Sequence, residues 1–303
     1  MRKLLTTLAT LSVPLLIGLH SPAVHADEVR ITHDGVVLNA NLETVDAGLS
    51  GAPTVLITHG TIAHAGMEII SGLQHLLAER GINTLAINLS LGINDRAQSM
   101  YDCAVRHNHK HTDAIGEIGA WYDWLKAEGA TNVSVLGHSR GGNQTARFAA
   151  AQDEGAIHAA ILIAPMTWSE DGEAEDYKKK YGVELKPLLA KAEALVAAGK
   201  GDEVMNPIDF IYCKQTEATA DAFVGYYRPD ADLDTPRVVG RIKAPVLVIA
   251  GSADTVVNDL IPKMESVADG DHVKLEIIDG ADHFFRDLYL EDAADMISDF
   301  IGG

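Results

Sequence analysis

Six short apolar runs, at residues 54–58, 84–88, 133–137, 157–164, 246–250 and 273–278, recur along the chain, and each is followed by a more polar span. A strand that is apolar on both faces must be covered on both, so runs of this kind belong inside a mostly parallel sheet. Helical periodicity fits residues 65–79, 112–127, 140–152, 258–267 and 291–301 between or after them. The alternation predicts an α/β fold with helices on both faces of the sheet. Ahead of it, residues 28–33 and 36–44 alternate around Asp34-Gly35, which predicts an antiparallel hairpin.

One stretch breaks the rhythm. Residues 166–242 carry two polar helical pieces, 176–198 and 217–227, and no clear buried strand. A structureless loop of that length is foreign to a compact domain, so the stretch is expected to be a helical cap inserted after the sixth strand. The catalytic body would then comprise 27–165 and 243–303. Glu170, Asp171, Glu173, Glu175 and Asp176 open the cap, and such acids suit a helix start better than a metal site.

The chain has 303 residues, 47% of them hydrophobic, enough for one sizeable core. Residues 1–26 have a basic start (Arg2, Lys3), an apolar run and a small-residue exit at Val24-His25-Ala26. These are the marks of a cleavable signal peptide. Pro14, Gly18 and interspersed Thr and Ser argue against a membrane anchor. The mature protein is therefore expected outside the cytoplasm, periplasmic or extracellular, and free of the membrane. A formal charge of −19, which loss of the basic leader makes more negative, disfavours nucleic acid as a partner. Cys103 and Cys213 are the only cysteines. Export permits a bridge between them, with two buried thiols as the alternative. A bridge would tie the cap to the rest of the chain.

The apolar strand Val133-Ser134-Val135-Leu136 runs straight into Gly137-His138-Ser139-Arg140-Gly141, and a helix follows at once. Gly-x-Ser-x-Gly alone recurs by chance. Between a strand and a helix it is the pattern of a sharp turn that projects the serine hydroxyl beyond the sheet, with the glycines removing side chains that would collide. A serine nucleophile needs a base, and the base an orienting acid. The run 245–250 ends in Gly251-Ser252-Ala253-Asp254, and the last strand ends in Asp279-Gly280-Ala281-Asp282-His283, so Asp254 and His283 fall on strand-end loops. Asp259, Asp279 and Asp282 compete less well for the acid, and His272 stands at the wrong end of its strand.

In these three ordered motifs the chain resembles the α/β-hydrolase-fold serine hydrolases, from about Val29 to the C-terminus apart from the cap. The resemblance implies Ser139 as nucleophile, His283 as general base and Asp254 as its orienting acid. It also implies backbone oxyanion donors at Arg140 and, after His59-Gly60, at Thr61. His138 would pack beneath the turn, and Arg140 would face cap or substrate. No cofactor or metal is expected. The substrate expected is a small carboxylic ester, with thioesters, lactones and amides, acyl transfer, and a non-catalytic binding protein as the alternatives. His107, His109 and His111, between the fourth strand and the next helix, are read as solvated surface, with substrate or cap contact and then metal binding ranking below.

Overall fold

The computed structural model describes residues 25–302. The leader expected over 1–26 falls outside them except for His25 and Ala26, which open the first strand. In the N-terminal part the elements run β1 (His25–His33), β2 (Val36–Thr44), α1 (Gly48–Gly51), β3 (Thr54–Thr58), α2 (Glu68–Glu79), β4 (Asn83–Asn88), α3 (Asp113–Ala127), β5 (Val133–His138), α4 (Arg140–Ala150) and β6 (Ala160–Ile163). The 166–242 segment supplies α5 (Glu170–Tyr181), α6 (Leu185–Ala197), β7 (Val204–Phe210), β8 (Cys213–Thr219), α7 (Ala220–Tyr227) and the short α8 (Thr235–Val238). The chain then returns to the sheet with β9 (Val246–Gly251), α9 (Leu260–Glu265), β10 (Val273–Ile278) and α10 (Leu288–Gly302).

Eight strands form one sheet in the order β1-β2-β4-β3-β5-β6-β9-β10. β1 and β2 pair antiparallel, β2 meets β4 antiparallel, and every other pairing is parallel. The central strands β3, β4, β5, β6 and β9 are buried along their whole length. β10 is an edge strand that leaves Ile277 exposed. Between β3 and β5 the connections diverge, β3 leading to β4 on one side and β5 to β6 on the other. A crevice at the carboxyl ends of the strands is the consequence, and ligands of open α/β sheets bind in such crevices.

The inserted segment departs from the helical expectation. α5 begins earlier than the sequence suggested and stops at Gly182, whose φ of 77° ends the helix where a continuous one was expected. The N-cap Ser169 accepts from the Gly172 amide; Glu170, Asp171, Glu175 and Asp176 are exposed as a solvated helix start should be, while Glu173 is half-buried. β7 and β8 form an antiparallel hairpin where the sequence offered no strand. Its tip is Ile211-Tyr212, both at positive φ. The hydroxyls of Tyr227 and Tyr181 hold it by accepting from the two tip amides at 3.0 and 2.9 Å. Among the described residues no helix is long and apolar enough to cross a membrane.

Candidate active site

β5 delivers Ser139 into a backbone conformation with φ 58° and ψ −125°, which side-chain-bearing residues rarely adopt. Tight packing enforces it. A Cβ on Gly137 would stand 2.3 Å from the Gly141 carbonyl oxygen, and one on Gly141 would stand 2.2 Å from the His59 carbonyl oxygen. Both positions therefore require glycine, and the elbow is wedged against the end of β3.

The loops after β9 and β10 bring the two expected partners to this serine. The Ser139 hydroxyl lies 2.9 Å from His283 Nε2, and His283 Nδ1 lies 2.7 Å from Asp254 Oδ2. With Nδ1–H donating to the carboxylate, Nε2 is left to accept from the serine. Burial alone would raise the Asp254 pKa, but the His283 hydrogen bond and charge, with the amides of Val257 and Val256 donating to Oδ1, hold it below the usual carboxylate value. Asp259 is engaged elsewhere, by Thr167 and Lys263. His138 lies beneath the turn as expected, its Nε2–H donating to the His283 carbonyl at 2.8 Å. Burial, then the neighbouring His283, push its pKa down to about 4, so it stays neutral and fixes the backbone of the His283 loop.

The His59-Gly60-Thr61 turn abuts the serine, since a Cβ on Gly60 would stand 3.2 Å from Ser139 Cβ. Arg140 opens α4, so its N–H has no partner within the helix. The Arg140 Nε donates to Thr61 Oγ1 at 3.1 Å, tying together the two residues whose amides were expected to receive an oxyanion. His59 itself is wholly buried and takes no part in the serine's hydrogen-bond chain. Its Nδ1–H donates to the Gly60 carbonyl while Nε2 accepts from the Leu89 amide, and burial lowers its pKa to about 3.

The reading of His107, His109 and His111 as solvated surface is overturned. All three are at most 1% exposed. The His107 backbone pairs with the inserted segment, donating to the Glu217 carbonyl and accepting from the Thr219 amide in an isolated parallel bridge to β8. Its ring stacks on Tyr101 and meets Phe210. His109 links His107 to the Tyr226 hydroxyl, 2.8 Å from its Nδ1. His111 donates to Asn143 and accepts from Arg140. His107 and His109 thus join the body to the inserted segment, while His111 bonds within the body and meets the segment through the Tyr226 ring. Among the described residues no cluster could hold a metal ion. The bridge between Cys103 and Cys213 is formed, joining this loop to β8.

Two cavities meet at Ser139, one apolar and against the body, one polar and under the inserted segment. Sequence reasoning missed the residues that wall the second, chiefly Trp168, Lys180 and Tyr212, because helix and hairpin bring them together from separate stretches. The tyrosines of the segment, Tyr177, Tyr181, Tyr226 and Tyr227, were the available signal.

The sequence model of the alpha/beta hydrolase family matches residues 55–299. No curated protein matches the chain. Among solved structures, Est1E from Butyrivibrio proteoclasticus superimposes with a TM-score of 0.62 at 20% identity, covering 90% of this chain and 97% of its own. The same protein with ferulic acid bound gives 0.64 at 21% identity over the same shares. A monoacylglycerol lipase from Paleococcus ferrophilus gives 0.58 at 17% identity, covering 87% of this chain and 98% of its own. At these identities the likeness concerns the fold.

Proposed function

The chain belongs to the alpha/beta hydrolase family, and from that premise we propose that it is a serine hydrolase cleaving a carboxylic ester through an acyl-enzyme on Ser139. The observation that carries the reading is the unbroken hydrogen-bond chain from Ser139 through His283 to Asp254. In the proposed reaction His283 Nε2 takes the serine proton as Oγ attacks the carbonyl carbon, and Asp254 stabilises the imidazolium. The Thr61 and Arg140 amides receive the oxyanion. Collapse of the tetrahedral adduct expels the alcohol with the proton held by His283. Water, deprotonated by the same histidine, then releases the acid and restores the serine.

An ester is the substrate of choice because the apolar cavity beside Ser139 suits a hydrocarbon group, and a monoacylglycerol lipase occurs among the structural neighbours. The 166–242 segment acts as the cap of the site. Export fits the disulfide and the absence, among the described residues, of a membrane-spanning helix. The test is fluorophosphonate labelling of the purified protein beside Ser139→Ala. Labelling of the wild type alone is expected, with ester turnover lost in the variant. Equal labelling of both, or of neither, overturns the assignment.

A further inference from the structure

The two cavities that share Ser139 differ in kind. The body-side cavity, about 330 Å³, is walled by Ile62, Met67, Ile69, Ile70, Met100 and Phe284. The cap-side cavity, about 300 Å³, presents Arg140, Trp168, Glu173, Asp176 and Lys180 among its walls. Thr61, Tyr212 and Val256 line both and form the partition, with the serine at the point where they communicate. A site for a wholly apolar ester would not keep one of two chambers polar, since desolvating unpaired polar groups costs free energy.

The polar chamber also holds hydrogen-bonding capacity that the described residues leave unused. Neither the half-buried Glu173 carboxylate nor the exposed Lys180 ammonium has a hydrogen bond to another described residue, and each lies in the field of the other, of Asp176 and of Arg140. Lys180 Nζ instead lies 3.9 Å from the centre of the Tyr212 ring, at the partition. With cations and carboxylates on the same wall, a ligand group of either sign would meet its like charge. Hydroxyls both donate and accept, so a hydroxyl-rich neutral group can use Glu173 and Lys180 together.

We propose that the substrate is two-ended, its scissile ester joining an apolar group lodged in the body-side cavity to a neutral, hydroxyl-rich group, sugar- or polyol-like, lodged under the cap. The inference rests on the ester-hydrolase reading and adds the substrate class to it.

The experiment compares kcat/KM of the mature, disulfide-bonded protein on four esters: hexyl hexanoate, the hexanoyl ester of methyl glucoside, hexyl gluconate, and the gluconoyl ester of methyl glucoside. At least one of the two mixed esters is expected to exceed both the all-apolar and the all-polar ester by about tenfold or more, because a site with polar groups to satisfy rejects analogues that lack the matching partner. The double variant Glu173→Gln/Lys180→Met should lower kcat/KM for that mixed ester about tenfold more than for hexyl hexanoate. Met100→Asp, at the exposed rim of the apolar cavity, should have the opposite bias, penalising hexyl hexanoate more than the all-polar ester. Preference for an ester with like ends, or equal losses on all esters in both variants, overturns the proposal while fluorophosphonate labelling of Ser139 still stands. Failure of that labelling removes the reading beneath it as well.

Discussion

In the body, Ser139, Asp254 and His283 hang from the ends of parallel strands, with β5 and β9 buried along their whole length. The cap has one two-stranded hairpin of its own and meets the body largely through side chains, the His107–His111 loop and a disulfide. On the proposed reading the two regions solve different problems. Aligning a nucleophile to a few tenths of an ångström calls for elements that cannot move independently. Choosing a substrate tolerates a surface assembled from tyrosines and helix ends, held by cross-links that can be loosened one at a time.

The sharpest way to break that comparison is to damage the alignment alone. Asp254→Asn keeps the size of the side chain but leaves the His283 tautomer unfixed. We expect kcat to fall by about 1,000- to 10,000-fold, with the cap undisturbed. Ester turnover measures the first, and hydrogen exchange across 170–227 the second. Cap exchange that rises along with the loss of kcat would mean the site and its cover are one cooperative unit.

Next in size is the bridge. Cys103 and Cys213 are separated by 110 residues, so by chain-entropy reasoning the disulfide contributes about 4–5 kcal/mol. Cys103→Ser with Cys213→Ser should lower the melting temperature. In hydrogen exchange the loss should be concentrated in β7, β8 and the 103–111 loop, with β3 and β5 retaining protection. Uniform loss through the sheet would erase the distinction between the regions.

Acid sharpens it further. Burial holds the His107 pKa at about 4 and the His109 pKa at about 3, and pushes that of His111 well below its usual value. Unfolded histidine takes up its proton near pH 6.5. The stabilisation from keeping these rings neutral is therefore full above about pH 6.5 and is lost as pH falls toward 4 and then 3. Each uncompensated proton costs up to tenfold per pH unit in the folded-to-unfolded ratio. His59 and His138 are likewise buried in the body, so whole-protein stability declines too. His109→Gln should flatten the pH dependence of exchange in β8 and α7 more than in β5. Equal flattening in both would place the histidine's influence in the body.

The same division governs what the sequence disclosed. Strands buried on both faces write themselves as apolar runs, and their loops carry Ser139, Asp254 and His283 in chain order, so the body and the meeting of these three side chains were legible. The cap hairpin was not, because its turn is Ile211-Tyr212, held at positive φ by two tyrosine hydroxyls, where a turn of this kind ordinarily announces itself with Asn-Gly. The histidine loop carried a signal that was given too little weight. Residues 107, 109 and 111 recur every second position, and in an extended segment that spacing sets side chains on one face, where a neighbouring element can cover them. Polarity suggested solvent; the single bridge from His107 to β8 and the rings of Tyr101, Phe210 and Tyr226 bury them instead.

The smallest effect tests whether single side-chain contacts between the regions matter at all. Tyr226→Phe deletes the hydroxyl beside His109 Nδ1 while keeping the ring that packs edge-on against His109 and faces the Arg140 guanidinium, 5.4 Å from the ring centre. Packing is preserved, so the loss is that of one buried hydrogen bond with an imidazole nitrogen left unsatisfied, about 1–3 kcal/mol, or roughly 2–10 °C in melting temperature. Because Arg140 also bonds Thr61 beside the serine, a change confined to stability would mean the cap contact ends at His109. A fall in kcat larger than the stability loss would mean that it reaches through Arg140 to the nucleophile's surroundings.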